Sequence, residues 1–199
     1  MSFIAYLANG FRQLFWNSQA THSILKEKHG FRYALILLFI LSGFSTLVLF
    51  GVTVIVLSLP GPEIALSLQA MILLFITLFA GALLLPLLSY GVTHLMARLF
   101  GGKASFTHLL SAGVALSFAL SVINMGTSIL SLIPLIGPPI SFAVFVYGVV
   151  VYIRVVREVY SLSNERAAGV VLIPLAVLFI LLFTLVVGYI LFTIFALGQ

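Results

Sequence analysis

Residues 33–59 read YALILLFILSGFSTLVLFGVTVIVLSL, an unbroken apolar run with no charged side chain. A bilayer hydrocarbon core of ~30 Å is crossed by about 20 residues of α-helix. A helix of that length in a soluble core would keep a polar face. This run has none, so it reads as a membrane span. It is bounded by Arg32 on one side and by Pro60-Gly61-Pro62 on the other.

Outward from this stretch the same reading repeats. Further uncharged runs cover about 64–97, 107–131, 139–156 and 167–197, the fourth allowing Arg154 to snorkel. A pair of spans with its turn needs upwards of ~40 residues, and neither the second nor the fifth run is that long. The second run, with Pro86 inside it, would measure about 50 Å as a straight helix. It is therefore expected to tilt, kink near Pro86 or extend past the membrane. The fold expected is all-α: a polytopic membrane protein with a five-helix transmembrane bundle over residues 32–199. Residues 1–31 form the remaining segment. There Phe3, Leu7, Phe11 and Leu14 recur at helical spacing, while Asn9, Arg12 and Gln13 lie away from that stripe. This predicts an amphipathic interfacial helix followed by a polar linker, the alternative being a helix packed on the rim of the bundle.

Composition agrees. Hydrophobic residues make up 63% of the chain and charged residues 7%, and the mean hydropathy is +1.32. A soluble protein of this size needs a far more polar surface. There is no cysteine, which removes disulfides, thiolate metal sites and cysteine nucleophiles. Asp is absent too, and the acids are Glu27, Glu63, Glu158 and Glu165. The net charge of +5 reflects bases flanking apolar segments, so nucleic acid is not the expected partner.

The bases also set an orientation. Arg12, Lys26, Lys28 and Arg32 precede the first span; Arg98 and Lys103 lie between the second and third. Arg154, Arg157 and Arg166 surround the link between the fourth and fifth. The opposite links, 59–63 and 132–138, hold Glu63 and no base. The positive-inside rule then places the N-terminus in the cytoplasm, and the odd span count places the C-terminus outside.

Two constellations stand out. His94 and Arg98 are four apart on one helix face. With Arg154 and Arg157 they form a candidate polar cluster for a lipid phosphate or an acidic partner; the alternative is that the arginines snorkel and His94 bonds a neighbouring helix. In the third span Gly113, Ser117, Ser121, Asn124 and Ser128 recur at three- and four-residue intervals. That pattern suits close helix packing or, alternatively, a polar groove. Thr184 and Gly188 offer a similar small-residue pair in the fifth span. His22, His29, His94 and His108 come from separate segments and lack the tight spacing of a metal site. No catalytic signature is present, and the expectation is a non-enzyme without cofactor or metal.

The run Arg98-Leu99-Phe100-Gly101-Gly102-Lys103-Ala104-Ser105-Phe106 resembles a signature of the Yip family (Ypt/Rab-interacting proteins). So do Leu132-Ile133-Pro134-Leu135-Ile136-Gly137 and Val159-Tyr160-Ser161-Leu162-Ser163 followed by Arg166-Ala167. The resemblance covers about residues 30–195 and implies five spans with a cytoplasmic N-terminus. In eukaryotes it implies roles in vesicle traffic through Rab-type GTPases. This chain has only about thirty residues before the first span, and without Asp it lacks the family's Asp-Leu-Tyr-Gly-Pro motif. It is more similar to the short prokaryotic branch, so Rab binding does not carry over and a prokaryotic cytoplasmic membrane is the expected location. The leading functional expectation is a scaffold or adaptor binding other membrane proteins or itself, with the bilayer and anionic lipid at its cytoplasmic face as further partners. The competing one is a transporter, channel or lipid-binding protein using the third-span face.

Overall fold

The computed structural model describes residues 1–57, 67–130, 133 and 135–197, without the side chains at several helix ends. Pro60-Gly61-Pro62, Glu63 and the start of the second apolar run lie outside the described residues. Leu132 and Pro134 of the fourth-span link do too. The elements are α1 (Phe3–Leu14), α2 (Ser18–Leu25), α3 (Gly30–Leu57), α4 (Leu68–Leu99), α5 (Phe106–Leu130), α6 (Gly137–Tyr160) and α7 (Asn164–Leu197). Among the described residues there is no strand, and five helices, α3 to α7, are long and apolar enough to cross a membrane.

Local chemistry explains where the helices start and stop. Ser2, Asn17 and Ser67 cap α1, α2 and α4, each side-chain oxygen accepting a backbone N–H three residues on. Pro138 and Pro139 open α6, where a missing N–H costs nothing. The stop of α4 is a Schellman turn: Gly101 takes φ +90°, its N–H reaches the Arg98 carbonyl at 3.1 Å, and the Gly102 N–H reaches the Ala97 carbonyl at 2.8 Å. The stop of α6 repeats this with Ser161 at φ 54° and the Leu162 N–H on the Arg157 carbonyl at 3.1 Å.

Helix α5 is central. Its residues Leu109 to Leu116 are buried on every side, surrounded by α1, α3, α4 and α6. Pro86, inside α4, has no N–H for the Ala82 carbonyl four residues before it. Ser42 of α3 supplies the donor instead, Oγ to Ala82 O at 3.0 Å, as buried backbone in a membrane demands. Further out, edge-to-face pairs Phe39–Phe79 and Phe50–Phe75 join α3 to α4, with centroids 5.2 and 5.6 Å apart.

The N-terminal segment is helical and packs against the bundle, the second of the two arrangements read from its sequence. Tyr6 bonds Ser111, Gly10 abuts Ala115 and Phe11 packs edge-on against Phe118. Residue numbers rise together along both helices, so α1 runs beside α5, not flat across the bundle's end. Its buried face differs from the apolar stripe read in the sequence: Asn9 and Gln13 point inward with Tyr6, Gly10 and Leu14, while Ile4 stays exposed. The cause is Gly10. A Cβ there would lie 2.4 Å from the Ala115 carbonyl oxygen, so the glycine allows a backbone-to-backbone contact that rotates the neighbouring polar residues inward. Gln13 Nε2 then donates to Thr21 Oγ1 at 3.3 Å.

Candidate functional site

Two of the three segments that resemble the family, 98–106 and the one that starts at Val159, do not stand apart. Gly102 packs under the Tyr160 ring so closely that a Cβ would sit 2.7 Å from Tyr160 Cδ1 and 2.9 Å from the Ala97 carbonyl. Gly169 of α7 packs against the Phe100 ring, its Cβ position 3.3 Å from two ring carbons. The α4–α5 and α6–α7 connections therefore form one junction at one end of the bundle. The two glycines of Gly101-Gly102 do different work, one turning the chain and the other admitting Tyr160.

Into this junction His94 projects from α4. Its Nδ1 shares a short hydrogen bond with the Tyr160 hydroxyl, 2.5 Å long, and its ring packs edge-on against Phe106 at 5.8 Å. Arg98, one turn on, has NH1 3.4 Å from the Lys103 carbonyl. Arg154 and Arg157 turn to other partners. Arg154 Nε meets Glu158 Oε1 at 2.9 Å, its NH2 donates to Ser18 Oγ at 2.7 Å, and its guanidinium lies 5.4 Å over the Trp16 ring. Arg157 NH2 is 3.7 Å from the same Glu158 oxygen, while its NH1 donates to Asn164 Oδ1 at 2.9 Å. The structure thus divides the four-residue cluster: Tyr160 holds His94, Arg98 reaches the Lys103 carbonyl, and Glu158 is shared by Arg154 and Arg157.

The α5 stripe divides as well. Gly113 admits the Tyr90 ring, whose Cε1 would stand 2.4 Å from a Cβ, and Ser117 Oγ bonds the Tyr90 hydroxyl at 2.7 Å. Ser121 and Ser128 instead donate to carbonyls four residues back in their own helix, both at 2.8 Å. Asn124 is exposed and lines a cavity of about 230 Å³ with Phe145 and Gly148 of α6. One end of the stripe is a packing contact; the other opens outward.

A family model described as the Yip1 domain matches residues 11–195. The chain belongs to the Yip family. No match was found among curated proteins or solved structures. In this Yip chain two of the three segments read above as resembling the family are helix stops locked together by Gly102, Tyr160, Phe100 and Gly169.

Sequence reasoning missed the tyrosines. Tyr6 donates its hydroxyl to the Ser111 carbonyl at 2.7 Å, and burial raises its pKa. Tyr147 donates to the Leu14 carbonyl, tying α6 to α1. Tyr90 and Tyr152 stand edge to face at 6.3 Å. Only the Arg154–Glu158 pair carried a readable signal, its i,i+4 spacing. Partners such as His94 and Tyr160, 66 residues apart, carry none. Among the described residues no group of three or more His, Asp or Glu is placed to hold a metal.

Proposed function

We propose that this Yip-family protein is a non-catalytic membrane scaffold or adaptor that binds other membrane proteins or a second copy of itself. The observation that carries this reading is the outer part of α7. Residues 176–190 are exposed without interruption on all faces, and a Cβ added at Gly188 would meet nothing within 4 Å. Thr184 and Gly188 lie one turn apart there, the small-residue spacing that lets membrane helices approach closely. The hydrophobic effect does not drive helices together in lipid, so a partner must offer packing and hydrogen bonds. The chain has no cysteine, which makes a direct test clean. Thr184→Cys and Gly188→Cys, cross-linked in native membranes, should give dimers or mixed adducts that a lipid-facing cysteine at Leu47 does not. Recovery of monomer alone would overturn the reading.

A second reading, anionic lipid at the basic end, is favoured by Arg98, whose described hydrogen bond is one long contact to a backbone carbonyl. Arg154 and Arg157 contribute less to it, since Glu158 already offsets them. With either reading the basic end faces the cytoplasm of a prokaryotic cell and the C-terminus lies outside. Reporter fusions at each end test this placement.

A further inference from the structure

The turn between α1 and α2 points along the bundle toward its middle. Helix α1 starts beside the start of α5, where Tyr6 meets Ser111, and advances until Phe11 meets Phe118. Helix α2 then returns, and Gly30 behind it lies against Ser111 again, its Cβ position 3.4 Å from that hydroxyl. The two helices thus form a hairpin. Its open end lies at the start of α5, and its closed end is Phe15-Trp16-Asn17. Two bonds from α6 hold the closed end: Tyr147 donates to the Leu14 carbonyl, and Arg154 donates to Ser18.

What the hairpin presents at its closed end is apolar. Phe15 is 80% exposed and Trp16 57%. Trp16 takes the left-handed position that ends α1, at φ 61°, where glycine or asparagine is the usual occupant. The Arg154 guanidinium lies over its ring at 5.4 Å. Depth along α6 says which medium this surface meets. Tyr147 is 13 residues from the α6 end at Tyr160 and Arg154 is six, or about 20 and 9 Å inward. Residues 137–153 carry no charge and span about 25 Å, close to the ~30 Å of a hydrocarbon core. Arg154 therefore marks the edge of the apolar layer, and the closed end of the hairpin sits at that edge. Val146, Tyr147 and Val150 on this stretch of α6 are exposed too, so the Phe15-Trp16 surface continues the lipid-facing side of the span.

We propose that the α1–α2 turn is a membrane anchor: Phe15 and Trp16 enter the headgroup–acyl boundary of the adjacent leaflet end-on, while the open end of the hairpin stays in water. Tryptophan favours that boundary, where its ring meets apolar chains and its N–H stays wet. Arg12, Asn17 and Gln19 around the turn are exposed. They suit phosphate and water at headgroup level and oppose deeper entry. Helix α1 has 12 residues and is about 18 Å long, so Ile4 near its other end, 78% exposed, lies in water although it is apolar. A flat-lying α1 would hold Ile4 and Trp16 at one depth. The anchor is independent of the α7 surface proposed for partners and of which side of the membrane the basic end faces.

Trp16 is the single tryptophan of the chain, so the fluorescence of the unaltered protein reports this site alone. The full chain is reconstituted in phosphatidylcholine vesicles carrying bromine near the headgroup end, the middle or the tail of the acyl chains, with acrylamide as the aqueous quencher. Bromine near the headgroup end should quench Trp16 about twofold more than bromine at the tail, as burial of ~5–10 Å at the boundary requires. In a Trp16→Phe background, Ile4→Trp should be quenched by acrylamide and by no brominated lipid, and Leu47→Trp supplies the mid-bilayer reference. The proposal is overturned if Trp16 responds to acrylamide as Ile4→Trp does and to no lipid. It is equally overturned if Trp16 is shielded from lipid and acrylamide alike, the mark of a second copy or another protein over the turn. Lipid quenching of the unaltered protein and of Ile4→Trp to the same extent would mean a flat-lying α1 and would also overturn it.

Discussion

The two halves of the bundle are built on different principles. Toward the end where α4 stops and α5 starts, side chains are specified. Tyr6, Tyr90, His94, Tyr160 and Arg154 each have a named partner on another helix, and glycines at 10, 102 and 113 admit contacts that a methyl group would block. In the opposite half, Phe44 to Ile55 of α3 and Leu172 to Ile190 of α7 are largely exposed, and Gly43, Gly51, Gly81, Gly126 and Gly188 have open space where a Cβ would be. The first half defines an arrangement; the second satisfies a solvent. Lipid tails are as apolar as leucine, so an exposed leucine there partitions correctly without packing against anything.

Substitutions should separate the halves. The largest effect is expected for Gly10→Leu, because the obstructing atom is the Ala115 backbone oxygen at 2.4 Å and no side chain can move aside. It should destabilise the docked α1 by about 3 kcal/mol, the upper part of the overpacking range, seen as faster trypsin cleavage at Arg12. Glu158→Ala should follow at about 2 kcal/mol, between the values for exposed and buried pairs, since Arg154 and Arg157 both lose their carboxylate. Unfolding in detergent at low and high salt measures this, and equal stability at both would contradict it. Tyr90→Phe should cost about 1 kcal/mol for the lost Ser117 bond. At the far end Leu181→Ala, at a side chain 56% exposed, should change stability by less than about 0.5 kcal/mol. A larger loss in native membranes than in detergent would reveal a partner on α7.

Much of the fold was readable in the chain because crossing a membrane depends on local composition. The uncharged runs near 33–59, 64–97, 107–131, 139–156 and 167–197 correspond to α3 through α7, with ends displaced by a few residues where caps such as Ser67 and the Gly101 turn decide them. The amphipathicity of residues 3–14 was readable too, but its inward face was not. Hydrophobic periodicity ranks Asn9 and Gln13 as outward, and only the Gly10–Ala115 approach shows why they turn in. Likewise Pro86 announces a freed carbonyl without naming Ser42 as its donor.

The sequence alone therefore determined that this is a five-span membrane protein of the Yip kind, since apolar length and signature residues are properties of contiguous chain. Tertiary structure decided which side chains are spent on each other. Helix rotation and neighbour choice put His94 on Tyr160, Arg154 on Ser18 and Tyr90 on Ser117. Those outcomes depend on contacts between residues far apart in the chain, and apolar spans of similar composition do not encode which of their faces will meet.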